Sequence, residues 1–272
     1  MASSLYIALL KKMLVDYDAI ETSEWHPLFI VEPNYKTFWL FPLDRLLRKR
    51  NFSIGKLIPV TEELRVEGLD WPARAKTMIG LKRLDNIELC VESILKDNIP
   101  GDFIETGVWR GGAGMLMRAI LLEKNIVDRK IWLADSFQGL PKPDEKNYAA
   151  DKNNPLYKYK ILKASLEEVI QNFKKFDLPL DQVEFVQGWF KDTLPQCKVE
   201  QLSLLRLDGD LYESTILALD HLYPKLSQGG FVIVDDYNAF PNCRKAVDDF
   251  RTKFGINQEL ITIDREAVYW RK

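Results

Sequence analysis

Six carboxylates stand where chemistry could be done, because each closes a short run of apolar, β-type residues. Glu105 and Asp135 end two such runs. Asp208 and Asp210 follow another in Leu205-Arg206-Leu207-Asp208-Gly209-Asp210-Leu211-Tyr212-Glu213, and Asp235 and Asp236 follow a fourth in Val232-Ile233-Val234-Asp235-Asp236-Tyr237. Open α/β sheets bind ligands beyond the carboxyl ends of their strands. Four aspartates gathered there repel one another and raise each other's pKa unless a cation lies between them. Donors that are all oxygen favour a hard ion, Mg2+ before Mn2+ or Ca2+, with open positions left for substrate oxygens. A single Asp could instead cap a helix, and Asp210 before the helix at Glu213 is the candidate for that role.

The first run opens into Ile104-Glu105-Thr106-Gly107-Val108-Trp109-Arg110-Gly111-Gly112-Ala113-Gly114, a glycine-rich turn entering a helix. Glycines let backbone approach a ligand closely and leave N–H groups aimed at it. Asp135, about 20 residues beyond Gly114, is placed to accept from both hydroxyls of a ribose, so the ligand should contain a nucleoside. The glycine spacing is not that of a dinucleotide site, and Glu105 would repel phosphate. S-adenosylmethionine carries no phosphate and presents a sulfonium and an amino group, so an acid at this turn is welcome. A third element, Gln187-Gly188-Trp189-Phe190, offers an aromatic face for adenine or simply a core plug. Tyr159-x-x-x-Lys163 and Thr106-Gly107-x-x-x-Gly111 resemble pieces of a nicotinamide-dependent short-chain dehydrogenase, but their order and spacing along the chain do not fit that layout, and Tyr159 and Lys163 read as surface residues.

The elements that must position these groups follow from periodicity. Seven strands are expected, at 102–107, 130–135, 182–187, 202–208, 231–235, 260–264 and 267–270, with helices at 112–124, 165–175, 213–226 and 242–254 between them. Such alternation predicts stacked βαβ units around a mainly parallel sheet, closed by a hairpin of the last two strands. We divide the chain into an N-terminal accessory or lid segment, 1–98, and a core, 99–272. In the first part Trp25, Trp39 and Trp71 lie scattered, Leu5–Leu10 begins a helix, and 77–95 has helical spacing. After Asp135 about 25 residues run without a period; loops beyond ~12–15 residues are commonly functional, and Tyr148, Tyr157 and Tyr159 could pack on a ligand, so 136–163 reads as a lid.

Composition narrows the partners. Among 272 residues, 38 Lys and Arg balance 40 Asp and Glu, which leaves no basic stripe for nucleic acid or an anionic membrane. No window reaches the ~18 uncharged apolar residues of a membrane span. Cys90, Cys197 and Cys243 are too widely spaced for a zinc site or disulfide framework, and a cytoplasmic location is expected.

PGDFIETGVWRGGAG, WLADSFQGLP, LRLDGDLYEST and GGFVIVDDY, in this order, together with AKTMIGLKRLDNIE near residues 75–88, resemble the macrocin O-methyltransferase (TylF-type) family of natural-product tailoring enzymes. The resemblance implies a class I, Rossmann-like methyltransferase fold with an N-terminal lid, S-adenosylmethionine and Mg2+ as cofactors, and a sugar or polyketide-type hydroxyl as acceptor. Carried onto this chain, it implies metal ligands Asp208, Asp235 and Asp236, a general base at Asp210, and a cofactor lining of Glu105, Thr106, Gly107, Asp135, Ser136, Gly188, Trp189 and Phe190, with Thr77 and Met78 as further contacts. A histidine base finds only His26 and His221, neither near these motifs. The alternatives are a nicotinamide-dependent oxidoreductase and a catalytically idle cofactor-binding scaffold. Exposed aromatics in the N-terminal layer suggest a homodimer.

Overall fold

The computed structural model describes residues 3–20, 23–28, 38–70 and 72–272; Trp71 lies outside them. In chain order the elements are α1 (Leu5–Leu14), β1 (Ser23–Pro27), α2 (Leu40–Arg48), β2 (Gly55–Pro59), α3 (Glu62–Glu67), α4 (Leu81–Lys96), β3 (Asp102–Thr106), α5 (Gly112–Glu123), β4 (Ile131–Asp135), α6 (Leu166–Lys175), β5 (Val183–Gln187), α7 (Phe190–Thr193), β6 (Leu202–Leu207), α8 (Tyr212–Leu222), β7 (Leu226–Val234), α9 (Pro241–Phe254), β8 (Ile261–Thr262) and β9 (Val268–Arg271). All seven expected strands form, in the order β5-β4-β3-β6-β7-β9-β8. Pairing from β5 through β7 is parallel, and β8 and β9 make the antiparallel edge hairpin. The small antiparallel pair β1 and β2 was not anticipated, because its residues SEWHP and GKLIP carry no apolar alternation.

Strand side chains alternate between two cores. Phe103, Leu204 and Phe231 face one hydrophobic cluster with α1, α4, α5 and α6, while Ile104, Leu205 and Val232 face the other with α8 and α9. Ile7, Leu10 and Leu14 of α1 and Leu84, Ile87 and Val91 of α4 belong to the first cluster, so both N-terminal helices pack against α5 on the sheet. Ser4 caps α1, accepting from the Ile7 N–H at 3.1 Å. Among the described residues no helix is long and apolar enough to cross a membrane. The strand order reverses between β3 and β6, a topological switch point where the carboxyl ends of neighbouring strands part and leave a crevice.

Candidate functional site

A cavity of about 490 Å³ opens at that crevice. Thr77, Met78, Glu105, Gly107, Asp135, Ser136, Gly188, Trp189, Phe190, Asp208, Asp210, Asp235 and Asp236 all line it. Thr106 does not; it is buried, its hydroxyl donating to the Arg206 carbonyl at 3.4 Å and its carbonyl accepting from the Asp208 N–H at 2.8 Å. Gly68–Asp70 from the N-terminal segment and Leu140, Leu156 and Leu162 from the long loop complete the wall.

β3 is buried from Phe103 to Thr106 and delivers Glu105 to the floor. Gly107 then turns at φ +91°, where a Cβ would lie 1.6 Å from the Asp208 carbonyl oxygen, so the donor turn and the acidic turn meet with backbone alone between them. Asp135 holds this turn in place: its Oδ2 accepts from the Val108 N–H at 2.7 Å and its Oδ1 from the Phe137 N–H at 2.6 Å. The carboxylate expected to meet a ribose therefore has a structural task, accepting from the Ser136 hydroxyl at 3.4 Å as well. Burial raises its pKa against these bonds. Ser136 closes the next turn by donating to the Gly139 carbonyl at 2.7 Å. Trp189 and Phe190, at the start of α7, are half-buried on the cavity wall, and Phe190 also packs on the second core as the core-plug reading expects.

Two buried arginines, overlooked at the sequence level, organise the acids. Arg206 on β6 pairs in register with Glu105 on β3. Its guanidinium bonds Glu105 Oε1 at 2.7 Å, Asp208 Oδ2 at 2.9 Å and Asp235 Oδ1 at 2.6 Å. Arg83 on α4 reaches the other Asp235 oxygen, Asp264 Oδ2 at 2.6 Å, and Glu266. A signal existed: an arginine inside the apolar strand LSLLRL can be buried only against acids, and Arg83 falls beside Leu84 and Ile87 on the helix face that packs inward.

The arginines leave part of the charge uncompensated. Asp208, Asp235 and Asp236 each offer an oxygen, and these lie within 4.8 Å of one another. Burial, then the neighbouring Asp235, pushes Asp208 up to about 6. Burial, then Asp208 and Asp235, pushes Asp210 up to about 8, and burial followed by Asp210 raises Asp236 as well. Glu105, pushed up to about 8 chiefly by burial, keeps Oε2 buried with no partner. Asp210 does not cap α8. It stands at φ +57°, and Asp151 from the long loop does the capping.

Other expectations resolve elsewhere. Tyr148 packs on Tyr212 with ring centroids 6.0 Å apart, and Tyr148, Tyr157 and Tyr159 all lie off the cavity wall, where Leu156 and Leu162 stand instead. The loop folds as three short turns of 3-10 helix. It is tied down by Trp109, whose Nε1–H donates to the Ile161 carbonyl at 2.7 Å. Lys163 is exposed; His26 is buried 3.2 Å from Glu24, and His221 sits half-buried in α8, and neither lines the cavity.

The family described as macrocin O-methyltransferase (TylF) matches residues 3–272. The chain belongs to this family. It is an O-methyltransferase, and the family implies S-adenosylmethionine as the methyl donor. Relatives similar to it include the demethyldecarbamoylnovobiocin O-methyltransferase of Streptomyces niveus, 56% identical over 78% of this chain and 81% of the relative. The mycinamicin III 3''-O-methyltransferase of Micromonospora griseorubida is 50% identical over 78% and 84%. The structure of the O-methyltransferase NovP superposes with a TM-score of 0.84 at 47% identity, covering 100% of this chain and 99% of that one. The calicheamicin methyltransferase CalS11, at 19% identity and a TM-score of 0.58 over 89% and 94%, shares the fold. Membership disfavours the oxidoreductase and scaffold alternatives. It also agrees with a class I methyltransferase fold.

Proposed function

We propose that the enzyme methylates a hydroxyl of a natural product, with S-adenosylmethionine as donor and Mg2+ as a required ion. The observation that supports this most directly is the co-location, in one cavity, of an incompletely compensated aspartate cluster and a buried carboxylate with a free oxygen. The donor set suits the ion: Asp208, Asp235 and Asp236 would hold it, all through oxygen. Bound there, Mg2+ would orient the acceptor hydroxyl and lower its pKa.

The chain's own groups do the rest. Asp210, with no side-chain partner among the described residues and a pKa raised to about 8, is placed to take the hydroxyl proton. Glu105, on the cavity wall with its Oε2 unpartnered, supplies negative charge near a positively charged donor. Gly107, Asp135, Ser136, Gly188, Thr77 and Met78 shape the donor pocket, with Thr106 supporting it from behind, and Trp189 or Phe190 covers the adenine. The rigid wall excludes water and fixes the approach of oxygen to methyl carbon. Residues 1–98 act as the accessory segment, contributing Asp70, Thr77 and Arg83 to the wall of the 99–272 core.

The names of the relatives favour a sugar hydroxyl of an antibiotic. One acts at the 3'' position of mycinamicin III, and another, from Streptomyces olivaceus and 50% identical, acts at the 4' position of a rhamnosyl tetracenomycin C. A cytoplasmic enzyme fits three free, buried cysteines. A homodimer fits the exposed Trp25, Trp39 and Phe52, and light scattering tests it.

The decisive assay offers S-adenosylmethionine, Mg2+ and a panel of demethyldecarbamoylnovobiocin and mycinamicin III, with product mass as readout. Transfer should stop with EDTA and with Asp208→Ala while S-adenosylhomocysteine still binds. Full activity after chelation would refute the metal requirement.

A further inference from the structure

The long loop does more than roof the cavity. Asp151 is 1% exposed although it comes from a surface connection. Its Oδ1 accepts from the Tyr212 N–H at 2.7 Å and its Oδ2 from the Glu213 N–H at 2.9 Å. These are free amides at the start of α8, which has no cap of its own from Leu211. The same Oδ1 accepts from Asn242 Nδ2 at 2.7 Å, in the first turn of α9. That Nδ2 also donates to the Asp210 carbonyl at 3.1 Å. Both partners can only accept, so the amide nitrogen must face them. Finally, the Asp210 N–H donates to Asp236 Oδ2 at 3.1 Å.

One continuous path thus runs from the loop through α9 to the backbone of Asp210 and on to Asp236. Asp210 needs that support. At φ +57° it occupies a region unfavourable to residues with a Cβ, and such geometry persists only where its surroundings impose it. The Gly209-Asp210-Leu211 turn is gripped at the Asp210 carbonyl by Asn242, at its N–H by Asp236, and just downstream by Asp151.

We propose that Asp151 and Asn242 are positioning residues for methyl transfer: docking of the loop through Asp151, relayed by Asn242, sets the Asp210 carboxylate in its working orientation. Covering the cavity and assembling the acidic site are then one event, so a loop that has not docked leaves the base misdirected. This rests on the reading of Asp210 as the base.

The test uses the full-length enzyme with Asn242→Ala, a half-exposed helix position where folding is not at risk, and Asp151→Ala beside it. Hydrogen exchange at the amides of 210–213 should quicken about tenfold or more in both variants, with Ala218–Leu222 unaltered. With the acceptor found in the panel above, kcat should fall about tenfold while the affinity for S-adenosylhomocysteine stays put. In an Asp210→Asn background, Asn242→Ala should cost nothing further. Unaltered exchange at 210–213 overturns the proposal, as does an undiminished loss of kcat in the Asp210→Asn background. If Asp210→Asn alone keeps full kcat, the base assignment fails instead, and the exchange data still decide whether loop and turn are coupled.

Discussion

Arg206 Nη2 lies 2.6 Å from Asp235 Oδ1, between β6 and β7, where both side chains are almost wholly buried. Arg83 takes the other Asp235 oxygen from the opposite side. Asp235 is therefore the best compensated acid of the cluster, whereas Asp210 and Asp236 line the cavity and, among the described residues, form no ion pair, with only the charge of nearby Arg83 felt at Asp236. The cluster is polarised by construction, compensated around Asp235 and uncompensated around Asp210 and Asp236.

Replacing Arg206 with Met should strand Glu105, Asp208 and Asp235 without their common partner. Breaking a buried ion network by removing one member costs about 3–5 kcal/mol. Chemical denaturation should show a loss of that order at pH 8, smaller at pH 6 where the carboxylates can take up protons. A loss equal at both values would contradict the assignment of uncompensated charge.

Without metal, stability should fall as pH rises from about 6 to above 8. Asp208, at about 6, and Glu105 and Asp210, at about 8, are all raised above the ordinary carboxylate range. The folded state thus binds more protons than the unfolded one across this window. Such groups contribute stability below the ordinary carboxylate pKa, and the contribution is lost as pH climbs through the raised values. Millimolar Mg2+ should restore Tm more at pH 8 than at pH 6. A Tm that rises with pH in EDTA would reverse this sign and defeat the prediction.

Glu105→Gln should separate binding from stability. Its Oε2 is buried without a partner, so removing the charge should leave Tm at pH 8 equal or higher. Affinity for S-adenosylmethionine should drop roughly tenfold, the scale of one charged hydrogen bond. Calorimetry beside a melting curve reads both, and unchanged affinity would remove Glu105 from the donor site.

Trp109→Phe deletes the bond to the Ile161 carbonyl and little else, since the ring can still receive the Arg110 guanidinium stacked 4.2 Å from its centroid. Global stability should change by only about 1 kcal/mol. Limited proteolysis should nevertheless cut residues 136–163 several times faster. If cleavage does not change, the tie between glycine turn and loop is not what holds the loop.

Much of this architecture was legible in the sequence because strands buried on both sides write themselves as apolar runs, and LSLLRL or GGFVIV admits few other readings. The acids at the strand ends could be read for the same reason, since a carboxylate following such a run has to emerge at the rim. Arg206 and Arg83 went unread because, Asp208 apart, their acid partners lie 29 to 183 residues away, a separation no local pattern encodes. Asp151 was hidden likewise. Nothing in AADKNN signals that its aspartate caps a helix 61 residues on. The pair β1 and β2 escaped because short edge strands need no apolar face.

The contact between Gly107 and the carbonyl of Asp208 has a bearing on how such an enzyme could diversify. The Asp208 N–H bonds the Thr106 carbonyl at 2.8 Å and the Asp235 N–H bonds the Leu207 carbonyl at 2.9 Å, so donor turn and acidic turns are fastened rung by rung to one ladder. The spacing of neighbouring strands, roughly 4.8 Å, then fixes how far apart these turns stand. On the proposed function, loops around the mouth could vary with the size of the acceptor, while the gauge between methyl and incoming oxygen would be set by the sheet and would not drift with them.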